Sequence, residues 1–543
     1  MRPLRLWWLL LLGLAAPAFA VEADGGPVVQ PRAANPGGAD DAAELVREMG
    51  IDAGPEPVLP PEVPASADAG TARVEEDVAG RISALLRVSY QRVSGFPVDE
   101  SGTRVDSNPF ETRLRINPEV HFRGFGFAAE ADTATGALWG LPPEGVFAAR
   151  TAHPSFNALD LRQLYAEYKW KTGVFRVGQQ LSQWGLGILA NGGSRDPEAG
   201  EFGQQHFGNL TYRALLVGRP FFKLGGRFRA IEPMIAADLV VRDATASLVR
   251  GDDAFQAVFA LRFNPDPEHN LGLYAVYRHQ RARRVTDNGR STDAVALDFA
   301  GKWQFARSEG RVFNIGFEIA GITGTTTEGR TDSAPVLKVR QLGAAAKLSY
   351  RNGRAQAYLD WGFASGDQNP NDDRLENFRF DRDYKVGLVL FDEVLGWQSA
   401  RSAFRAADPN LLGEPPEGVE LAPSGGSVSS AWYLFPRLRY GVREWFDLYG
   451  GPLFAFSTAR LTDPFNSRLG GGTAINFLGG APGNYLGTEL DLGAQARWQP
   501  IQMLVISLTF EVGLLLPGDA FAIPMGGTMG PVGMARLRLS ASL

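Results

Sequence analysis

The 543-residue chain has no cysteine and only five histidines. Disulfide staples, thiol nucleophiles and cysteine metal sites are therefore excluded. Beyond residue 20 the chain lacks any run of about eighteen apolar residues, the length a membrane-spanning helix needs. It also lacks a G-x-S-x-G frame around any serine. From Gly80 onward no convincing amphipathic helix stands out. Its main body has no charge excess of either sign. The net charge of −6 arises in residues 21–79, which hold thirteen acids and three arginines, whereas residues 80–543 hold 49 basic and 47 acidic residues. That balance excludes a nucleic-acid footprint.

The N-terminus reads as an address. Arg2 and Arg5 precede LWWLLLLGLAA, and Ala18-Phe19-Ala20 has the small-x-small form of a cleavage site. Residues 1–20 are therefore expected to be a signal peptide. Residues 21–79 read as an acidic, Pro/Ala-rich periplasmic linker, stiffened by PEPVLPPEVP at 55–64. A short helix at 40–50 would be too short to stand alone.

What the main body does have is alternation. In LGTELDLGAQARWQ, residues 486–499, Leu490, Leu492, Ala494, Ala496 and Trp498 fall on one side of a strand. Glu489, Asp491, Gln495 and Arg497 fall on the other. The same pattern returns at Ile82–Tyr90, Leu114–Phe122, Val295–Phe305, Leu342–Tyr350, Leu504–Val512 and Leu537–Leu543. Two architectures fit it. A soluble sandwich turns its charged face to water, whereas a membrane barrel turns its oily face to lipid.

Connections and aromatics separate the two. Short turns (123–124, 171–173, 264–270, 306–310, 351–353, 441–444, 499–502) take turns with long loops (94–110, 135–159, 182–210, 365–427, 457–485, 516–530). Outer-membrane barrels alternate in this way, with short periplasmic turns and long extracellular loops. The apolar stretch YKVGLVLF at 384–391 must stay inside a loop, or the later turns change sides. The expected fold is then all-β, a transmembrane antiparallel barrel of eighteen strands over 80–543, with sixteen as the alternative count. Phe122, Phe125, Trp170, Phe263, Trp303, Phe305, Tyr350, Tyr440 and Trp498 stand beside short turns on the oily parity. A lipid interface explains such a ring. The expected location is the bacterial outer membrane, and the expected partners are its lipid and the barrel-insertion machinery.

Three stretches carry a family resemblance: LRQLYAEYKWKTGVFRVGQQLSQWGLG at 161–187, DWGFASGDQNPNDDRLENF at 360–378, and LGTELDLGAQARW at 486–498 running into LLPGDAF at 514–521. They resemble the alginate-export family of porin-like outer-membrane barrels. The resemblance implies a monomeric eighteen-stranded barrel that passes an anionic polysaccharide. The chain departs from the family by ending on Leu543 rather than an aromatic residue, and by mixing charges inside.

By parity the lumen is expected to be lined by Arg87, Arg113, Arg115, Glu119, Lys169, Arg176, Arg262, Lys347, Arg437, Arg439, Glu489, Asp491, Arg497, Arg536 and Arg538. Arginine forks suit carboxylates. Arg536 and Arg538 on the last strand should meet Arg87, Arg113 and Arg115 where the barrel closes, forming an anion path; ordinary ion pairing with Glu119, Glu130 and Glu489 is the alternative. The expected function is a channel for an anionic polysaccharide or small anionic solute. A plugged structural or adhesion barrel is the runner-up, and a hydrolase built on the inward His121 the remote third. No cofactor, catalytic residue or metal is expected. DQNPNDD at 367–373 lacks the glycine and glutamate of an EF-hand loop and reads as a solvated turn.

Overall fold

In the computed structural model the described residues are 78–543, apart from 141–155, 194–198, 206, 225, 267, 283–288, 309, 331–333, 370–371, 414, 417 and 420–422. The signal peptide and acidic linker expected from the sequence lie outside them.

Eighteen strands form the wall. They are β1 Ala79–Val93, β2 Phe110–Phe122, β3 Phe125–Trp139, β4 Phe156–Trp170, β5 Gly173–Leu181, β6 Leu210–Gly218, β7 Ile231–Arg242, β8 Asp252–Asp266 and β9 His269–Ala282. They continue as β10 Ser291–Ser308, β11 Arg311–Thr326, β12 Leu337–Asn352, β13 Ala355–Ala364, β14 Ala431–Arg443, β15 Phe446–Ser457, β16 Tyr485–Ile501, β17 Leu504–Pro517 and β18 Val532–Ser542. Each pairs antiparallel with the next, and β18 pairs with β1, Val88 opposite Leu539. The sheet therefore has no free edge, which is what a spanning sheet requires in lipid.

The two faces of each strand are inverted relative to a soluble protein. On β16, Leu490 and Leu492 are 45% and 49% exposed, whereas Glu489 and Asp491 are fully buried. The oily side faces out and the charged side faces in. Outward aromatics mark both rims. Phe122, Phe125, Phe305, Tyr350, Tyr440 and Trp498 are exposed at the short-turn end, and Trp170, Phe263 and Trp303 are half-exposed there. Trp139, Phe156, Tyr212, Phe255 and Trp432 are exposed at the long-loop end. On β14, Trp432 and Tyr440 are eight residues apart. That is about 26 Å along the strand, or about 20 Å across the bilayer at the usual tilt. A closed, even-numbered barrel with an apolar band between two aromatic girdles is the outer-membrane form, and it places the chain in a bacterial outer membrane.

The segment 384–391 is not a strand; it lies in the loop between β13 and β14. The absence of helix is corrected. A π-helical turn, Leu390–Leu395, runs into helix α1, Gly396–Ala406, which buries Trp397, Ala400 and Ala403. Two arginines and a glutamine dilute the pattern of α1, so its apolar spacing is easily missed in sequence. Its Arg401 meets Asp99 at 2.8 Å, and Arg405 donates to Glu100 at 2.6 Å, tying it to the β1–β2 loop.

Candidate functional site: the barrel interior

Two long loops turn inward and fill much of the lumen. Both are caught by the same device. In the β5–β6 loop, Gly185 has φ +53, and the amides of Gly187, Ile188 and Leu189 donate to Glu318 of β11 at 2.8, 3.3 and 3.2 Å. In the β13–β14 loop, Gly387 has φ +68, and the amides of Leu388, Val389 and Leu390 donate to Glu489 of β16 at 2.5, 2.8 and 2.7 Å. Consecutive amides turned the same way make a concave anion receptor. Here the anion is a carboxylate of the barrel wall. Each glycine lets the loop approach closely. A Cβ at residue 185 would lie 2.6 Å from Glu318 Oε2, and one at residue 387 would lie 2.8 Å from Glu489 Oε1.

Wall arginines hold the β5–β6 loop by its carbonyls. Arg87 and Arg113 donate to the Gln205 carbonyl at 3.1 and 2.9 Å. Arg162 donates to the Phe207 carbonyl at 2.8 Å and the Gly192 carbonyl at 2.5 Å. Arg437 reaches the Gly200 carbonyl. The two loops also bind each other. The Asp381 amide donates to the Ile188 carbonyl at 2.8 Å, and Asp383 accepts from the Gly208 amide at 2.6 Å. Burial and the neighbouring Asp383 push the Asp381 carboxyl well above the usual range. Glu393, held by Gln91 at 2.6 Å, is raised likewise by burial and Asp392.

The expected seam cluster is brought together, with its arginines buried against acids and loop carbonyls. The register sets Ser89 opposite Arg538, Gln91 opposite Arg536 and Arg87 opposite Arg113. All five seam arginines are buried and engaged. Arg113 lies 3.3 Å from Asp132 and Arg115 2.7 Å from it. Arg536 and Arg538 lie 2.7 and 3.8 Å from Glu511. Parity identified the positions. It could not foresee that acids on neighbouring strands and loop carbonyls would lie against these guanidiniums. Elsewhere on the expected list, Arg176 is buried against Glu167 at 2.8 Å, and Arg437 pairs with Asp360. Asp491 is buried beside Gly513. Glu119, Lys169, Arg262, Lys347, Arg439 and Arg497 are only half-buried and stand nearer the short turns. His121 lies 4.0 Å from Glu119 and 3.8 Å from Glu167. In the 367–373 loop, Asp367 accepts from the Asn369 amide at 3.0 Å and Asp373 pairs with Lys338 at 2.6 Å.

Between these loops and strands β6–β12 lies a cavity of about 540 Å³. Its wall side mixes small apolar residues, Val240, Val276, Ala294, Ala296 and Val339, with polar ones such as Arg242, Arg278 and Gln280. Its loop side carries hydroxyls at Ser399, Ser424 and Thr462, and the guanidiniums of Arg460 and Arg468. Among the described residues neither guanidinium has a hydrogen-bond or ion-pair partner. Burial lowers the Arg468 pKa, with no acid to offset it. Attention to charged inward residues missed this site. Its signal was a run of small inward residues on β10, Thr292, Ala294 and Ala296.

No protein-family model matches the chain, and no curated protein matches it. Solved structures do. OccK5 (OpdH) of Pseudomonas aeruginosa is 12% identical, with 86% of this chain and 98% of that one covered and a TM-score of 0.46. The outer membrane protein OprD of Pseudomonas aeruginosa is 10% identical, with 86% and 93% covered and a TM-score of 0.47. OccAB1 of Acinetobacter baumannii is 12% identical, with 86% and 97% covered and a TM-score of 0.44.

Proposed function

We propose that the chain is a channel for small anionic solutes, entered through the cavity beside β6–β12. The observation that carries this reading is the pair Arg460 and Arg468, whose guanidiniums line the cavity without ion-pair partners among the described residues, although acids such as Asp243 and Asp381 line it elsewhere. A volume of about 540 Å³ is that of a small-molecule pocket. Unneutralised guanidiniums favour carboxylate or phosphate groups. Half-buried Arg262, Lys347 and Arg497, all of inward parity, would continue a basic lining toward the short-turn end, whereas Lys169 and Arg439 pair with Glu167 and Asp447 at 2.7 and 3.1 Å.

A polysaccharide, the cargo implied by the alginate-export resemblance, is less well supported. A polymer needs a continuous wide passage, and two loops are tied across the interior. The same ties favour the second reading, a plugged structural barrel. Conductance in a planar bilayer under a KCl gradient separates the two. The channel reading expects current with anion preference; the plugged reading expects silence. If Arg460→Ala/Arg468→Ala leaves a conducting parent's reversal potential unchanged, the assigned entrance is wrong.

A further inference from the structure

Seven of the eight connections at the short-turn end are tight turns, as barrel rules lead one to expect. The eighth, RPFFKLGGRFRA at 219–230 between β6 and β7, is twelve residues long. It carries three phenylalanines, a leucine and four basic residues, and no acid. It folds as two 3-10 turns, Phe222–Leu224 and Gly226–Ala230. The Arg219 amide donates to the Thr172 carbonyl at 2.8 Å, fastening the segment to the β4–β5 turn. The Arg219 side chain is neutralised by Glu232 at 2.6 Å.

The remaining cations are not neutralised. Lys171, Lys223, Arg227 and Arg229 have no ion-pair partner among the described residues. Lys171 and Arg229 both stand over the Phe222 ring, at 5.7 and 4.5 Å. Phe221, Leu224 and Phe228 are 40%, 68% and 61% exposed. A barrel has no reason to leave such a surface in water. The segment starts at the level of the outward aromatic girdle, next to Trp170 on β4 and Phe175 on β5. It is therefore continuous with the band that already meets lipid, at headgroup height. Apolar rings flanked by bare cations are the composition that settles into an anionic membrane interface.

We propose that residues 219–230 are a foot that binds anionic phospholipid headgroups on the short-turn face of the barrel. The rings enter the interface and the four cations meet headgroup phosphates. Each cation at such a surface strengthens attachment about fivefold. The inference does not depend on what the channel carries.

Because the chain has no cysteine, Leu224→Cys creates a unique labelling site. The full chain, labelled there with an environment-sensitive dye, is reconstituted in phosphatidylcholine vesicles with or without phosphatidylglycerol. Iodide is present on both sides of the membrane. Phosphatidylglycerol should shift the emission to the blue and reduce iodide quenching severalfold. Adding Lys223→Glu, Arg227→Glu and Arg229→Glu should abolish that response, while the barrel still resists SDS unheated. Equal quenching in both vesicle types would overturn the proposal. Equal protection in both would overturn the headgroup recognition. Protection only on addition of a periplasmic extract would assign the surface to a protein partner instead and also overturn it.

Discussion

The two halves of the barrel interior are built from different materials. Around the seam, on β16–β18 and β1–β4, the inward residues are large and charged: Arg113, Arg115, Glu130, Asp132, Arg162, Glu511, Arg536 and Arg538, all buried. On β6–β12, around the cavity, small residues (Val240, Val276, Thr292, Ala294, Ala296 and Val339) stand among larger polar ones such as Arg242, Arg278 and Gln280. In the first half guanidiniums meet carboxylates or loop carbonyls, so the charges act as fasteners. In the second half long side chains still reach the β5–β6 loop at points, Glu318 at its amides and Arg242 at the Phe207 carbonyl, but beside the small residues space remains. The comparison teaches that inward charge does not by itself mark a solute path. A path needs charge without a local partner, which on the proposed reading Arg460 and Arg468 supply from the loop side.

Breaking a fastener should cost most. Glu511→Ala strands Arg536 and Arg538 and removes the acceptor of the Tyr449 hydroxyl, 2.9 Å away. Orphaning buried charges of this kind costs about 3–5 kcal/mol. In the other half, Thr292→Ala loses one hydroxyl bond to Thr326 and should cost about 1 kcal/mol. Denaturant unfolding in vesicles compares the two, and equal costs would erase the distinction. Next in size, Glu318→Ala with Glu489→Ala leaves six loop amides without their carboxylates, while the wall register is untouched. The barrel should fold, the β5–β6 and β13–β14 loops should become protease-sensitive, and conductance should rise severalfold. Ala296→Trp should act in the opposite sense. It fills the cavity from the wall and should lower conductance severalfold without releasing the loops.

The smallest expected effect is a pH response of the loop that carries Arg460 and Arg468. Asp463 caps the short helix Pro464–Leu469, accepting from the Phe465 amide at 3.0 Å and from the Ser402 hydroxyl. Burial pushes its pKa up to about 6, more than those hydrogen bonds lower it. The folded loop therefore favours the protonated acid. The stabilisation is fully present below the unfolded value near 4 and is lost as pH rises through about 6. Hydrogen exchange at 463–470, corrected for intrinsic rates, should accelerate between pH 4 and 7. Asp463→Asn, which keeps a capping oxygen, should flatten that response; a flat parent would refute it.

The wall was legible in the sequence because a spanning strand obeys period two and a lipid face tolerates little charge. The outward set Leu490, Leu492 and Trp498 stands where alternation placed it, and the last strand closes on the first as the seam reading required. The filling was not legible. Glu489 and Asp491 read as lumen charges because parity knows only in and out. That a loop amide would cover Glu489 depends on contacts a hundred residues apart. One clue was present. KVGLVL at 385–390 and WGLGIL at 184–189 each place a glycine before an apolar run inside a long loop. Such runs have no place in water, and they are the two segments the wall glutamates hold. Helix α1 escaped because its apolar residues are interleaved with the arginines that bind Asp99 and Glu100.

The reversal potential under a KCl gradient tests the central claim most directly. Two paired variants are compared with the parent in planar bilayers. Arg113→Ala/Asp132→Ala removes a seam cation together with an acid it meets. Arg460→Ala/Arg468→Ala removes the cations of the cavity. The account predicts an anion-selective parent, an unchanged value for the seam pair, and a shift toward cations for the cavity pair that shrinks at high salt, where the Debye length falls to about 3 Å at 1 M. A shift in the seam pair with none in the cavity pair would contradict it.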